Sequence, residues 1–115
     1  MKSRITLLIP CYNAARFLPR LRESVRALTQ PFAAMLCYDD GSKDDSVTVA
    51  RGLGLEIITG QPNRGVAHAR NQLAASASTE WIHFHDADDL IAPGFVAQMS
   101  PWCDDRHDVL FGKGR

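Results

Sequence analysis

The segment Asp86-Ala87-Asp88-Asp89 puts three carboxylates within four residues, and like charges so close repel unless a cation or solvent offsets them. Hard oxygen donors on a turn suit Mg²⁺ or Mn²⁺, ions that keep part of their water shell and share substrate phosphates. A solvated loop whose Asp89 caps the following turn accounts for the same residues. A second run, Asp39-Asp40-Gly41-Ser42, reads as a strand end and a turn, with Gly41 relaxing the backbone and Ser42 as N-cap. That reading leaves the aspartates without a task, whereas a carboxylate here could accept from a base N–H or a ribose hydroxyl.

Asn63-Arg64-Gly65 precedes Arg70 and Asn71, and a helix start with two arginines can attract a diphosphate. Arg64 and Arg70 are six apart, however, so they need not share a face, and a plain surface arginine explains Arg70 equally well. His83 and His85 alternate with Ile82 and Phe84 and so share a strand face with Trp81. His85 adjoins the acidic run, where a ligand, a base and a hydrogen-bonded structural histidine are the alternatives. His68 and His107 have no such company, and Trp81 and Trp102 read as core or cover.

Short apolar runs alternate with helix-like stretches, the pattern of βαβ units in a parallel sheet. Residues 5–9 are almost continuously apolar, as befits a strand covered on both faces, and Pro10 is expected to end it. Asn13 can cap the first helix. Leu18, Leu21, Val25 and Leu28 then recur at helical spacing, with the main helix expected from about Pro19 and closed by Pro31. Further strands are predicted at 32–38, 55–59 and 80–85, with a fifth started at 108–111. Ser42-Lys43-Asp44-Asp45 resembles a capping box opening a helix to Gly52, and more helices are expected from 66 to about 77 and over 93–99. The predicted fold is three-layer α/β/α around a mostly parallel sheet with right-handed crossovers. Ligands then bind outside the carboxyl ends of strands. Three polar clusters fall at such ends: Pro10-Cys11-Tyr12-Asn13, Asp39 to Ser42, and His85 to Asp89. The turn at Asn63 is expected elsewhere, at the start of the third helix.

The 115 residues suit one compact domain, and 45% hydrophobic with 23% charged residues is ordinary for a globular chain. Lys+Arg and Asp+Glu are 13 each, so there is no basic stripe for nucleic acid and no polybasic run for a membrane surface. No stretch approaches the roughly 20 apolar residues of a transmembrane helix, and the apolar run from Ile5 to Pro10, with no small-residue cleavage site, reads as too short for a signal peptide. Cys11, Cys37 and Cys103 are an odd, widely spaced set, which argues against a disulfide framework or zinc site and favours a reducing cytoplasm.

Taken together the clusters resemble the family 2 glycosyltransferases, which have a GT-A fold. The matching segments are Ile9-Pro10-Cys11-Tyr12-Asn13, Asp39-Asp40-Gly41-Ser42-Lys43-Asp44, Asn63-Arg64-Gly65-Val66-Ala67-His68-Ala69-Arg70-Asn71, and Phe84-His85-Asp86-Ala87-Asp88-Asp89. The resemblance implies a bound nucleoside diphosphate sugar, UDP-linked by preference. Pro10, Tyr12 and Asn13 would line the nucleotide site, and Asp39 or Asp40 would contact the base. Arg70 would lie near the nucleotide, Asp86 near the ribose with Ala87 also in the nucleotide-sugar site, and Asp88, with Asp86 as a second candidate, on a Mg²⁺ or Mn²⁺ bridging the phosphates. Two departures stand out: Leu73 replaces a glycine usual after the Arg-Asn pair, and His85 stands where an apolar residue is usual. Family members are considerably longer, so the chain reads as a truncated donor-binding domain over 1–115, without acceptor site or catalytic base; Asp104, Asp105 and Asp108 read as solvated. A short non-catalytic paralogue is the alternative, binding or oligomerising through an exposed sheet edge. A phosphorylation receiver domain also gathers aspartates at strand ends, but its acidic pair should follow the first strand, where Pro10 to Asn13 stand here.

Overall fold

A computed structural model describes residues 4–103. Its elements are β1 (Ile5–Cys11), α1 (Leu18–Arg26), β2 (Ala34–Asp40), α2 (Ser46–Gly52), β3 (Glu56–Gly60), α3 (Val66–Ser76), β4 (Trp81–Phe84) and α4 (Phe95–Met99), then a 3₁₀ turn at Ser100–Trp102. The four strands form one parallel sheet in the order β3-β2-β1-β4. Helices cover both faces, so the expected α/β/α layering is what the chain adopts. The fifth strand expected at 108–111 lies outside the described residues.

Strand alternation sorts the core into two layers. Ile5, Leu7, Ile9 and Cys11 of β1 and Cys37 of β2 face one side and pack with Leu18 and Leu21 of α1, Ala50 of α2 and Val96 of α4. Leu8 and Tyr38 face the other side, against Ala69 and Leu73 of α3. Leu7, Leu8, Ile9, Leu18, Leu21 and Leu73 are wholly buried, and each contributes about 1.5–3 kcal/mol by leaving water. Helix α1 carries Pro19 in its first turn, where the missing N–H would have had no helical partner. It stops at Arg26, well before Pro31.

Pro10 does not end β1. The strand runs on to Cys11, with Pro10 beside Tyr38 and Cys11 beside Asp39. The hydrogen bonds explain why this is tolerated. The carbonyls of Arg4 and Leu8 accept from the N–H groups of Trp81 and His85, so the even-numbered backbone groups of β1 face β4. Pro10 belongs to that set, but β4 has already ended at Phe84, opposite Leu8. The absent proline N–H therefore faces no strand. Strand β2 is shifted from its predicted range for a related reason. Cys11 offers a partner to Asp39, while Phe32 leaves the sheet for the core, its ring 6.3 Å from His83 and 6.2 Å from Phe95.

Candidate nucleotide-sugar and metal site

Because β2, β1 and β4 are adjacent and parallel, their carboxyl ends open on one rim. That rim receives Tyr12 and Asn13 from β1, Asp39 and Asp40 from β2, and residues 85–89 from β4. Asp39 and Asp40 are both buried, each about 4% exposed, yet they do different things. Asp39 accepts from the Ser42 N–H at 3.0 Å and from the Ser42 hydroxyl, and each of its oxygens keeps a further accepting direction. Asp40 is filled. Its Oδ1 accepts from the Arg64 N–H at 2.9 Å, and its Oδ2 accepts from the Gly65 N–H at 2.8 Å and the Asn63 Nδ2 at 3.0 Å.

This overturns the expectation that the Asn63 turn sits away from the rim. Asp40 draws it to the tip of β2, where Asn63 also donates to the Asp40 carbonyl at 3.1 Å. The approach is close: a Cβ on Gly41 would stand 2.9 Å from the Asn63 nitrogen, and Gly41 already has φ +73°. Only glycine meets both demands. Gly60 has a separate reason to lack a side chain, since a Cβ there would collide with the Tyr38 hydroxyl.

Asn13 is not a helix cap. It adopts φ 52° and ties two loops together: its N–H donates to the Ser42 hydroxyl at 2.8 Å, and its Oδ1 accepts from the Lys43 N–H at 2.8 Å. The same seam continues with the Ala14 N–H on the Ser46 hydroxyl at 2.9 Å and the Ala15 N–H on Asp44 Oδ2 at 3.2 Å. Ser42 is thus spent on Asp39 and Asn13, and α2 starts at Ser46 without a capping box. The pairing of Ser46 with Asp44 went unnoticed in the sequence; their Asp-x-Ser spacing, which lets the Ser46 hydroxyl and N–H both reach Asp44, was the available signal. Tyr12, between Cys11 and this seam, is 46% exposed and faces solvent at the rim.

Residues 86–89 form a tight turn, closed by the Asp89 N–H donating to the Asp86 carbonyl at 3.1 Å. The Ala87 methyl packs against the main core, which leaves only its backbone for a ligand. Asp86 and Asp88 are exposed and Asp89 half-buried, and each offers an oxygen such that all three lie within 4.8 Å of one another. Three hard carboxylate donors this close fit Mg²⁺ or Mn²⁺. Arg70, exposed on α3 beside the inward-facing Ala69, holds its guanidinium 5.7 Å from the centre of the Phe84 ring and so stands near the root of this turn. Arg64 sits instead over the tip of β2. His85 is buried and hydrogen-bonded, with Nε2 3.1 Å from the Asp89 carbonyl and Nδ1 3.3 Å from His83 Nε2. His68 has gained company, its ring edge-on to Tyr38 at 5.9 Å.

Two cysteines lie beneath the rim. Cys11, Cys37 and Cys103 are free and buried; the adjoining Cys37 thiol, burial and the nearby acids all push the Cys11 thiol far up, so it stays protonated and unreactive.

A family model described as glycosyl transferase family 2 matches residues 6–115. The chain belongs to that family. The succinoglycan biosynthesis protein ExoU of Rhizobium meliloti is 40% identical over 101 residues, which cover 83% of this chain and 29% of that protein. The putative glycosyltransferase EpsH of Bacillus subtilis is 30% identical over 111 residues, 92% of this chain and 32% of that one. Among solved structures, the fold is similar to the mannosyltransferase PcManGT of Pyrobaculum calidifontis in complex with GDP-Man and Mn²⁺, with TM-score 0.81, 24% identity, and 91% of this chain against 34% of that chain. It is also similar to TarS 1-349 of S. aureus in complex with UDP-GlcNAc, with TM-score 0.77, 24% identity, and coverage of 89% and 31%. The chain therefore spans about a third of the length of the relatives it matches. Among the described residues, no helix is long and apolar enough to cross a membrane.

Proposed function

We propose that this chain is the donor-binding part of a family 2 glycosyltransferase, holding a nucleoside diphosphate sugar and a divalent ion on the rim of β2, β1 and β4. The observation that carries the reading is the gathering of Asp86, Asp88 and Asp89 within 4.8 Å on the same rim as the half-filled carboxylate of Asp39. Asp88 would hold the ion, with Asp86 the second ligand and nearer the ribose. Tyr12 would offer its ring to the base, Pro10 would wall the pocket, and Asn13 would hold both in place through its seam with Ser42 and Lys43. Arg70 would meet the nucleotide from the α3 side. Mg²⁺ or Mn²⁺, when bound, supplies the positive charge that stabilises the diphosphate as the anomeric C–O bond breaks.

Of the two aspartates expected near the base, the task falls to Asp39, because the oxygens of Asp40 are committed to the Asn63 turn. An ionised carboxylate only accepts hydrogen bonds, so it favours a base with an N–H on its pairing edge. Uracil and guanine present a ring N–H there, whereas cytosine presents its amino group beside an accepting ring nitrogen that opposes a carboxylate, so UDP and GDP should outrank CDP; the preference for UDP over GDP rests on the family resemblance. The sugar, its acceptor and the base that would deprotonate the acceptor belong to the whole protein.

Calorimetric titration of the chain with UDP, GDP and CDP, in Mn²⁺ and then in EDTA, tests the reading. UDP binding that disappears in EDTA and in Asp88→Ala, with circular dichroism unchanged, is the expected result. Equal binding in Mn²⁺ and EDTA would remove the metal from the proposal, and binding of CDP as tight as UDP would remove Asp39 from the base.

A further inference from the structure

His85 follows β4 directly before the acidic turn, and the structure gives it a defined set of partners. The Asp89 carbonyl can only accept, so His85 Nε2 must carry a proton and donate to it at 3.1 Å. In the neutral ring Nδ1 is then an acceptor, and it receives the Nε2 proton of His83 at 3.3 Å. The rings of His83 and His85 lie 5.4 Å apart, and His83 packs 4.5 Å from Phe95 of α4 and parallel to Phe32. A relay of two imidazoles therefore runs from the core under α4 to the backbone of the last residue of the acidic turn. Asp89 is thus held at both ends of its backbone, its N–H by the Asp86 carbonyl and its carbonyl by His85.

We infer that His85 is a positioning residue for the metal site: by fixing the Asp89 carbonyl it holds the turn in the shape that brings the Asp86, Asp88 and Asp89 oxygens together. The inference rests on the proposed metal-dependent donor binding and assigns His85 no contact with metal or nucleotide. An apolar side chain at 85 would fill the space and remove this hydrogen bond to the Asp89 carbonyl. The three carboxylates repel one another, so a turn released at one end would spread before the ion arrives, and closing it again would weaken binding. Supports behind the metal ligands are worth about tenfold to a hundredfold in affinity; a single bond to a ligand's backbone belongs at the lower end of that range.

The test compares the parent chain with His85→Phe, which keeps a ring, and His85→Gln, whose amide can donate from nearly the position of Nε2. Mn²⁺ affinity is measured in the presence of UDP by the loss of the free Mn²⁺ paramagnetic resonance signal, and melting temperature is measured in EDTA. The expected result is about tenfold weaker Mn²⁺ binding in His85→Phe, recovery to within about threefold in His85→Gln, and no correlation between affinity and melting temperature. Parent-like affinity in His85→Phe, or equal weakening in both variants, would overturn the role of His85 alone. A parent chain that takes up no Mn²⁺ with UDP would overturn the donor-site reading and this inference together.

Discussion

At the scale of residues, the pair Asp39 and Asp40 shows how much a strand's pleat decides. Successive side chains point to opposite faces, so Asp39 follows Cys37 toward the α1 and α2 layer and Asp40 follows Tyr38 toward α3. One carboxylate can then stay partly free at the rim while the other binds the loop before α3. A buried carboxylate accepting three hydrogen bonds cannot be removed cheaply, because the Arg64 and Gly65 N–H groups and the Asn63 amide lose their partner together. Asp40→Ala is expected to destabilise the chain by about 2–3 kcal/mol, read as a lower urea midpoint with an unchanged slope. A variant as stable as the parent would mean that the Asn63 turn is held by something else. The alternation was legible in the sequence. The target of Asp40 was not, since Asn63 lies 23 residues away and no local rule links them.

At the scale of elements, the loops after β1 and β2 are sewn to each other, not merely adjacent. Asn13, Ala14 and Ala15 of one loop bond in turn to Ser42 and Lys43, Ser46, and Asp44 of the other. Burial pushes the Asp44 carboxyl up, but bonds from the Ser46 hydroxyl and the Ala15 and Ser46 N–H groups outweigh it, and the net shift is downward. A carboxyl with a depressed folded pKa stabilises the fold above its unfolded value, and the gain is lost as pH falls through the folded value. Acidification below about pH 4 should therefore loosen this seam. Melting temperature against pH should fall more steeply on the acid side for the parent than for Asp44→Ala; parallel curves would show that Asp44 adds nothing. The effect is small because Asp44 is exposed.

At the scale of the whole molecule, the sheet has β3 and β4 as its edges among the described residues, and β4 is only four residues long. Nearby side chains are apolar and open to solvent: Ile82 is 37% exposed, Leu90 47% and Trp102 54%. A sheet edge left open beside apolar surface recruits partners, and a formal net charge of zero does little to oppose this. The isolated chain is expected to self-associate, with a sedimentation coefficient that rises with concentration. A single monomeric boundary at high concentration would contradict that.

The sequence by itself determined the layer architecture, the number and order of the elements up to α4, and the three polar clusters on a common rim. Those features follow from local periodicity and from the rule that parallel strands present their carboxyl ends together. Tertiary structure decided the rest: that β1 continues through Pro10, that Asn13 and Ser42 bond to each other instead of capping helices, that Asp40 reaches the Asn63 turn, and that His85 supports Asp89. In each case the outcome depends on which partner lies within about 3 Å across the sheet rim, and a polar side chain with several possible partners takes the one that the packed core brings to it.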